Sequence, residues 1–184
     1  MKLNLPSPIQ KVVGIVNWKL GPEVLPKSPV LLAASLCAFA VAMFLRQMMD
    51  YSLARSAASG IGAAAVLSAA AYIGASVSGY RERLTQTLCA LALAGAVVVF
   101  VTALLRFLLV VSLVFADTSE QGLPYINVME LANFLLFPLF VWNVFVFAAL
   151  FRRSFRPSVP VSFAIAIPLV MIVDFFVPIA FRSL

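Results

Sequence analysis

The chain is 184 residues long, 64% apolar and 11% charged, with a formal net charge of +6 and a mean hydropathy of +1.08. Soluble domains run at roughly 45–50% apolar and about 25% charged, so this composition excludes one and predicts an all-α, polytopic transmembrane helical bundle. With His 0, His-ligated metals and haem, His general bases and His-centred triads are excluded, and the basic surplus beside apolar spans points to anionic lipid head groups, not nucleic acid.

Residues 1–28 form an N-terminal cytoplasmic or interfacial segment. Pro6, Pro8, Lys11, Lys19, Gly21, Pro22 and Pro26 break any compact apolar run, so the segment does not resemble a cleavable signal peptide. Within it Ile9, Val12, Val13, Val16 and Leu20 recur at helical spacing, with Lys11 and Lys19 off the stripe and Trp18 nearby. That pattern predicts a short amphipathic helix lying in the membrane interface. Leu25-Pro26-Lys27-Ser28-Pro29 then turns the chain into the bundle, residues 29–184.

A hydrocarbon core about 30 Å thick needs about 20 apolar residues of helix. Five stretches qualify: 29–49, 56–78, 85–106 with an extension to 116, 130–151 and 159–181. Arg46, Gln47 and Asp50 end the first. The second is rich in Ala, Gly and Ser, and its small-xxx-small pairs, Ala70 with Gly74 and Gly74 with Ser78, let helix backbones approach closely. This span is expected to be the central packing helix, and its small-residue face is the candidate docking surface for another membrane protein. The third run has no Gly or Pro between Gly95 and Gly122, and Arg106 divides it about one bilayer thickness in. A span to Arg106 with an amphipathic or protruding continuation through Phe115 is expected; one long tilted helix is the rival, and a separate sixth segment a further alternative.

Lys and Arg counted by loop favour the N-terminus inside and the C-terminus outside. That orientation places Lys2, Lys11, Lys19, Lys27, Arg81, Arg83, Arg152, Arg153 and Arg156 in the cytoplasm, against Arg46, Arg55, Arg106 and Arg182 on the far side. A cell inner membrane, multi-pass location follows.

Arg106 and Asp174 both fall at membrane depth, where an ionisable group is a functional-site candidate and pairing makes it tolerable. Several arrangements are open: a buried Arg106–Asp174 pair, a proton-binding Asp174, or Arg106 snorkelling to the interface while Asp174 faces a wet crevice or is protonated. Asn133 and Asn143 lie ten residues apart on nearly one face of the fourth span, which Pro138 interrupts. Cys37 and Cys89 read as small buried hydrophobes: they form no CxxC pair, and no metal or cofactor is implied.

Between the second and third spans the chain reads Arg81-Glu82-Arg83-Leu84-Thr85-Gln86-Thr87-Leu88-Cys89-Ala90-Leu91 and continues as a small-residue helix through Gly95. Gln86 and Thr87, entering a span, need partners on a neighbouring helix or turn. Arg81 and Arg83 read as a positive-inside anchor with a snorkelling Gln86; the alternative makes the four a polar contact patch for a partner or an anionic lipid. With the Leu-Pro-x-Ser-Pro motif at 25–29, Trp142, Arg152-Arg153 and a Pro-containing last helix, this stretch resembles small bacterial inner-membrane proteins of the Yip1-like type. The resemblance covers about residues 20 to 180 and implies a five-helix bundle with a cytoplasmic N-terminal segment. It brings no catalytic residues. The eukaryotic relatives' long cytoplasmic domain is missing, so trafficking-type partner binding does not carry over.

No enzyme is expected, since no catalytic cluster is present. The leading expectation is a non-enzymatic integral membrane protein acting as scaffold, accessory or assembly subunit through helix–helix contacts with a membrane-protein partner. The alternative is a small transporter or channel subunit using Asp174 and Arg106 as an intramembrane polar site.

Overall fold

The computed structural model describes residues 8–17, 19–116, 131 and 134–183, and among these every regular element is helical. A short helix α1 (Pro8–Val16) precedes α2 (Pro29–Gln47), α3 (Leu53–Ser78), α4 (Leu84–Ala116) and α5 (Phe137–Phe155). The last span, Val159–Ala180, consists of α6 (Val159–Met171), a π-helical turn (Ile172–Phe176) and α7 (Val177–Ala180). Five helices are long and apolar enough to cross a membrane, as the hydropathy pattern predicts.

Helix limits follow local chemistry. Ser28 Oγ accepts from the Leu31 N–H ahead of α2, with Pro29 filling the first helical position, where its missing N–H is harmless. Ser52 Oγ accepts from the Arg55 N–H and starts α3. Gly79 ends α3 at φ +76°, a conformation L side chains rarely adopt.

The third run is one uninterrupted 33-residue helix, about 50 Å long at ~1.5 Å per residue. Residues 107–116 therefore extend α4 and do not form a separate segment. α4 is also the central helix. In its 18-residue apolar stretch 61% of the residues are buried, against 28% in that of α3 and 22% in that of α2. The expectation that the second span occupies the centre is thus corrected, for a physical reason. Small side chains permit close approach but do not say on how many sides it happens. α3 buries one stripe, Gly60, Ala63, Leu67, Ala71 and Ala75, and turns Ile61, Tyr72, Ile73 and Val77 outward. In α4 the run Leu88 to Ala92 is buried all round, so Ala, Cys and Leu there meet neighbours on every side.

The close approaches are glycine contacts. A Cβ on Gly60 would lie 2.5 Å from the Ala40 carbonyl oxygen, so α2 and α3 touch backbone to backbone at that point. Gly95 of α4 lies under the rings of Phe39 and Phe147, which with Leu91 and Phe151 fill the middle of the bundle.

At the end holding the α3–α4 turn, α1 packs on α4 and α5. Ile15, which is 1% exposed, enters the core while Val13 of the expected apolar stripe is 51% exposed. The helix exists where the spacing places it but is rotated toward protein, not lipid alone. Trp18 lies outside the described residues. Cys89 is buried as expected; Cys37 faces outward from α2.

Candidate functional site

The end of α2, the start of α5 and the flanks of α4 and the last span converge away from α1. α2 closes with Arg46 and Gln47, and the Gln47 carbonyl accepts from the Asp50 and Tyr51 N–H groups at 3.0 and 3.1 Å. This tight turn swings Asp50 back over the bundle. α4 brings Thr102 and Arg106, α5 brings Phe137, Phe140 and Asn143, and the last span brings Asp174 and Phe175. Together they line a cavity of about 310 Å³.

Two ion pairs cross it. Arg46 Nη1 donates to Asp174 Oδ1 at 2.6 Å, and these side chains are 21% and 4% exposed. Arg106 engages Asp50 through both terminal nitrogens, at 2.6 and 2.9 Å, a bidentate geometry that adds directional strength to the charge attraction. The expected Arg106–Asp174 pair is therefore corrected: both residues reach the same cavity, and each takes another partner. Arg46 and Asp50 lie four residues apart and flank the turn after α2, so this one turn supplies an opposite charge to each of the two membrane-depth groups. The four charges cancel, which lets the cluster sit in low dielectric without an unpaired ion.

The backbone around Asp174 is built by proline. Pro178 lacks the N–H that would bond the Asp174 carbonyl, and its ring crowds that position, so the helix widens into the Ile172–Phe176 π turn. Arg55 closes the freed end. Its Nε and Nη2 donate to the Pro178 carbonyl at 3.1 and 2.9 Å, and its guanidinium stacks 3.6 Å over the Tyr51 ring.

The cavity also holds unused hydrogen-bonding capacity. Arg106 and Asn143 are 6% and 5% exposed, yet among the described residues Arg106 Nε and Asn143 Oδ1 have no hydrogen-bond partner. Thr102 is satisfied, its hydroxyl donating to the Val98 carbonyl at 2.8 Å. One wall is aromatic: Phe140 stacks on Phe137 at 6.1 Å and meets Phe175 edge-on at 6.0 Å. A polar group entering from the membrane would meet one spare donor and one spare acceptor above an apolar flank. No three Cys, Asp or Glu side chains are grouped as metal ligands among the described residues.

The remaining candidates lie elsewhere. Gln86 Nε2 donates to the Leu25 carbonyl at 2.7 Å, fastening the N-terminal segment to the start of α4. Thr87 is fully buried beside it in sequence, its hydroxyl unpartnered. Arg81 and Arg83 occupy a 3₁₀ turn, Arg83 lying 5.4 Å over the Tyr80 ring. On α3, the close approach at Gly74 is taken by Phe155 of the same chain, whose ring would stand 2.8 Å from a Cβ there. Ser78 spends its hydroxyl on the Gly74 carbonyl at 2.6 Å, and Ala70 packs against the core. Asn133 lies outside the described residues.

Sequence reasoning thus reached Arg106, Asp174 and Asn143 but passed over Arg46, Gln47, Asp50, Tyr51 and Thr102, treating the first three only as the end of a span. The i,i+4 spacing of Arg46 and Asp50 and the position of Pro178 four residues after Asp174 were the available signals. Family models, curated proteins and solved structures contain no match to this chain.

Proposed function

We propose that this protein is a non-enzymatic, Yip1-like integral membrane protein acting as an accessory or assembly subunit, and that the ion-paired cavity is its recognition site for a polar group carried by a membrane partner. The observation behind this reading is the pair of buried atoms, Arg106 Nε and Asn143 Oδ1, that have no hydrogen-bond partner among the described residues. Leaving a buried polar group unpaired costs about 1–3 kcal/mol, so a ligand offering an acceptor to one and a donor to the other gains directly. A photoreactive residue at Phe137, at the cavity wall and 59% exposed, tests it in native membranes. The expected result is a discrete cross-linked product that disappears on Asn143→Leu while insertion and protein level persist. No product, or one indifferent to Asn143→Leu, would overturn the reading.

The alternative as a small transporter or channel subunit has the same polar residues in its favour. Against it stand Phe39, Phe147, Leu91 and Phe151, each at 1% exposure or less, which fill the middle of the bundle below the cavity. Solute flux through the reconstituted protein alone would reverse this preference.

The same reading places the N-terminus in the cytoplasm of an inner-membrane protein. Two of the four basic residues at the cavity end, Arg46 and Arg106, are neutralised by Asp174 and Asp50, and Arg55 is bound to a carbonyl. The Lys and Arg count, nine on the opposite side against four on this one, is what supports that orientation. In a Cys37→Ala, Cys89→Ala background, Ser183→Cys is expected to react with an impermeant maleimide in intact cells. Glu82→Cys is expected to react only after permeabilisation. The reverse pattern would invert the orientation.

A further inference from the structure

At the opposite end from the ion pairs, α5 and α6 diverge around a groove of about 410 Å³. Its floor is made of Ala148 and Ala149, small enough to leave a channel along the helix pair. Phe145 and Phe163 meet edge-on at 5.0 Å and close it toward the middle of the membrane. At the mouth stand Arg152 and Arg153, both exposed in the last turn of α5, and no carboxylate is among the described residues that line the groove. The first turn of α6, beginning at Val159, adds the positive end of a helix dipole on the same side.

We infer that this groove is a site for an anionic phospholipid, with the phosphate held by Arg152 and Arg153 and an acyl chain laid along Ala148 and Ala149. The chemistry selects this class at both ends of the ligand. Phe145 and Val159 are 43% and 42% exposed on an apolar face that no aqueous anion would enter. With the guanidinium donors of Arg152 and Arg153 at the mouth and no acid among the described lining residues, a head group of net negative charge is favoured over a zwitterionic one, whose ammonium meets no carboxylate among them. The site shares no residue with the ion-paired cavity and stands independently of the function proposed for it.

The test is native mass spectrometry of the detergent-solubilised protein with added phosphatidylglycerol or phosphatidylcholine. Wild type is expected to retain phosphatidylglycerol in preference. Arg152→Gln with Arg153→Gln is expected to lower that retention about tenfold, because each basic residue near a lipid surface contributes measurably to anion attraction. Ala149→Trp fills the groove and keeps both arginines, so it is expected to lose the lipid without a change of charge. Arg81→Gln with Arg83→Gln removes the same charge from the same end and is expected to leave retention unchanged. Equal loss in that control, full retention in Ala149→Trp, or no preference between the two lipids would overturn the inference.

Discussion

Asp174→Asn is expected to lower the thermal midpoint of the detergent-solubilised protein by roughly 5–10 °C, by the usual relation between stability and melting for a chain of this length. The Asp174 carboxylate is 4% exposed and lies 2.6 Å from Arg46 Nη1. Removing one member of a buried pair costs about 3–5 kcal/mol in soluble proteins, because the other charge is left without compensation. Arg46 retains 21% exposure and sits in the last turn of its helix, so it can extend toward water, which reduces the expected loss to about 2–3 kcal/mol. The pairing itself is tested by charge exchange. Arg46→Asp with Asp174→Arg should recover most of the loss of either single reversal; Arg106→Asp with Asp174→Arg should recover none, since Arg106 faces Asp50. Recovery in the second double variant and not the first would assign the partners the other way.

Gly60→Leu is expected to be the more damaging change, abolishing a monodisperse folded species by size-exclusion chromatography. A Cβ at Gly60 meets the Ala40 carbonyl oxygen at 2.5 Å, and a backbone atom cannot rotate aside. α2 and α3 would have to separate along their contact, and overpacking of even flexible cores costs about 1–3 kcal/mol. Association in lipid rests on close packing without a hydrophobic drive between helices, so the lost contact is not replaced. Gly62 offers the internal comparison. Its Cβ would meet the Phe181 ring at 2.8 Å and Val177 at 3.1 Å, both side chains, one of them near the chain end. Gly62→Leu should leave a folded protein with a lowered melting midpoint. Equal effects of the two substitutions would show that the α2–α3 contact is not the tight one.

Gly74 gives the opposite lesson for function. Its spacing with Ala70 and Ser78 suggests a docking surface for a second protein, whereas its nearest neighbour is Phe155 of its own chain. A substitution there would report on internal packing, so the cavity and the α5–α6 groove are better places to look for partners.

What the sequence determines by itself is whatever depends on residues close together along the chain. Span lengths answer to bilayer thickness, and Ser28, Ser52 and Gly79 cap or end helices through bonds and backbone angles within a few residues. That Arg106, Asp174 and Asn143 fall within apolar stretches long enough to cross a membrane is equally local, as is their status as candidates for a polar site. Tertiary structure alone decided that Arg106 belongs to Asp50 and Asp174 to Arg46, since two chain-distant helices must first be brought beside one turn. It also decided that α4 and not α3 occupies the centre, and that Ile15 and not Val13 enters the core. In water, hydropathy separates the buried face of a helix from the exposed one. In a bilayer both faces are apolar, lipid is as hydrophobic as a packed leucine, and the pattern that marks a core disappears.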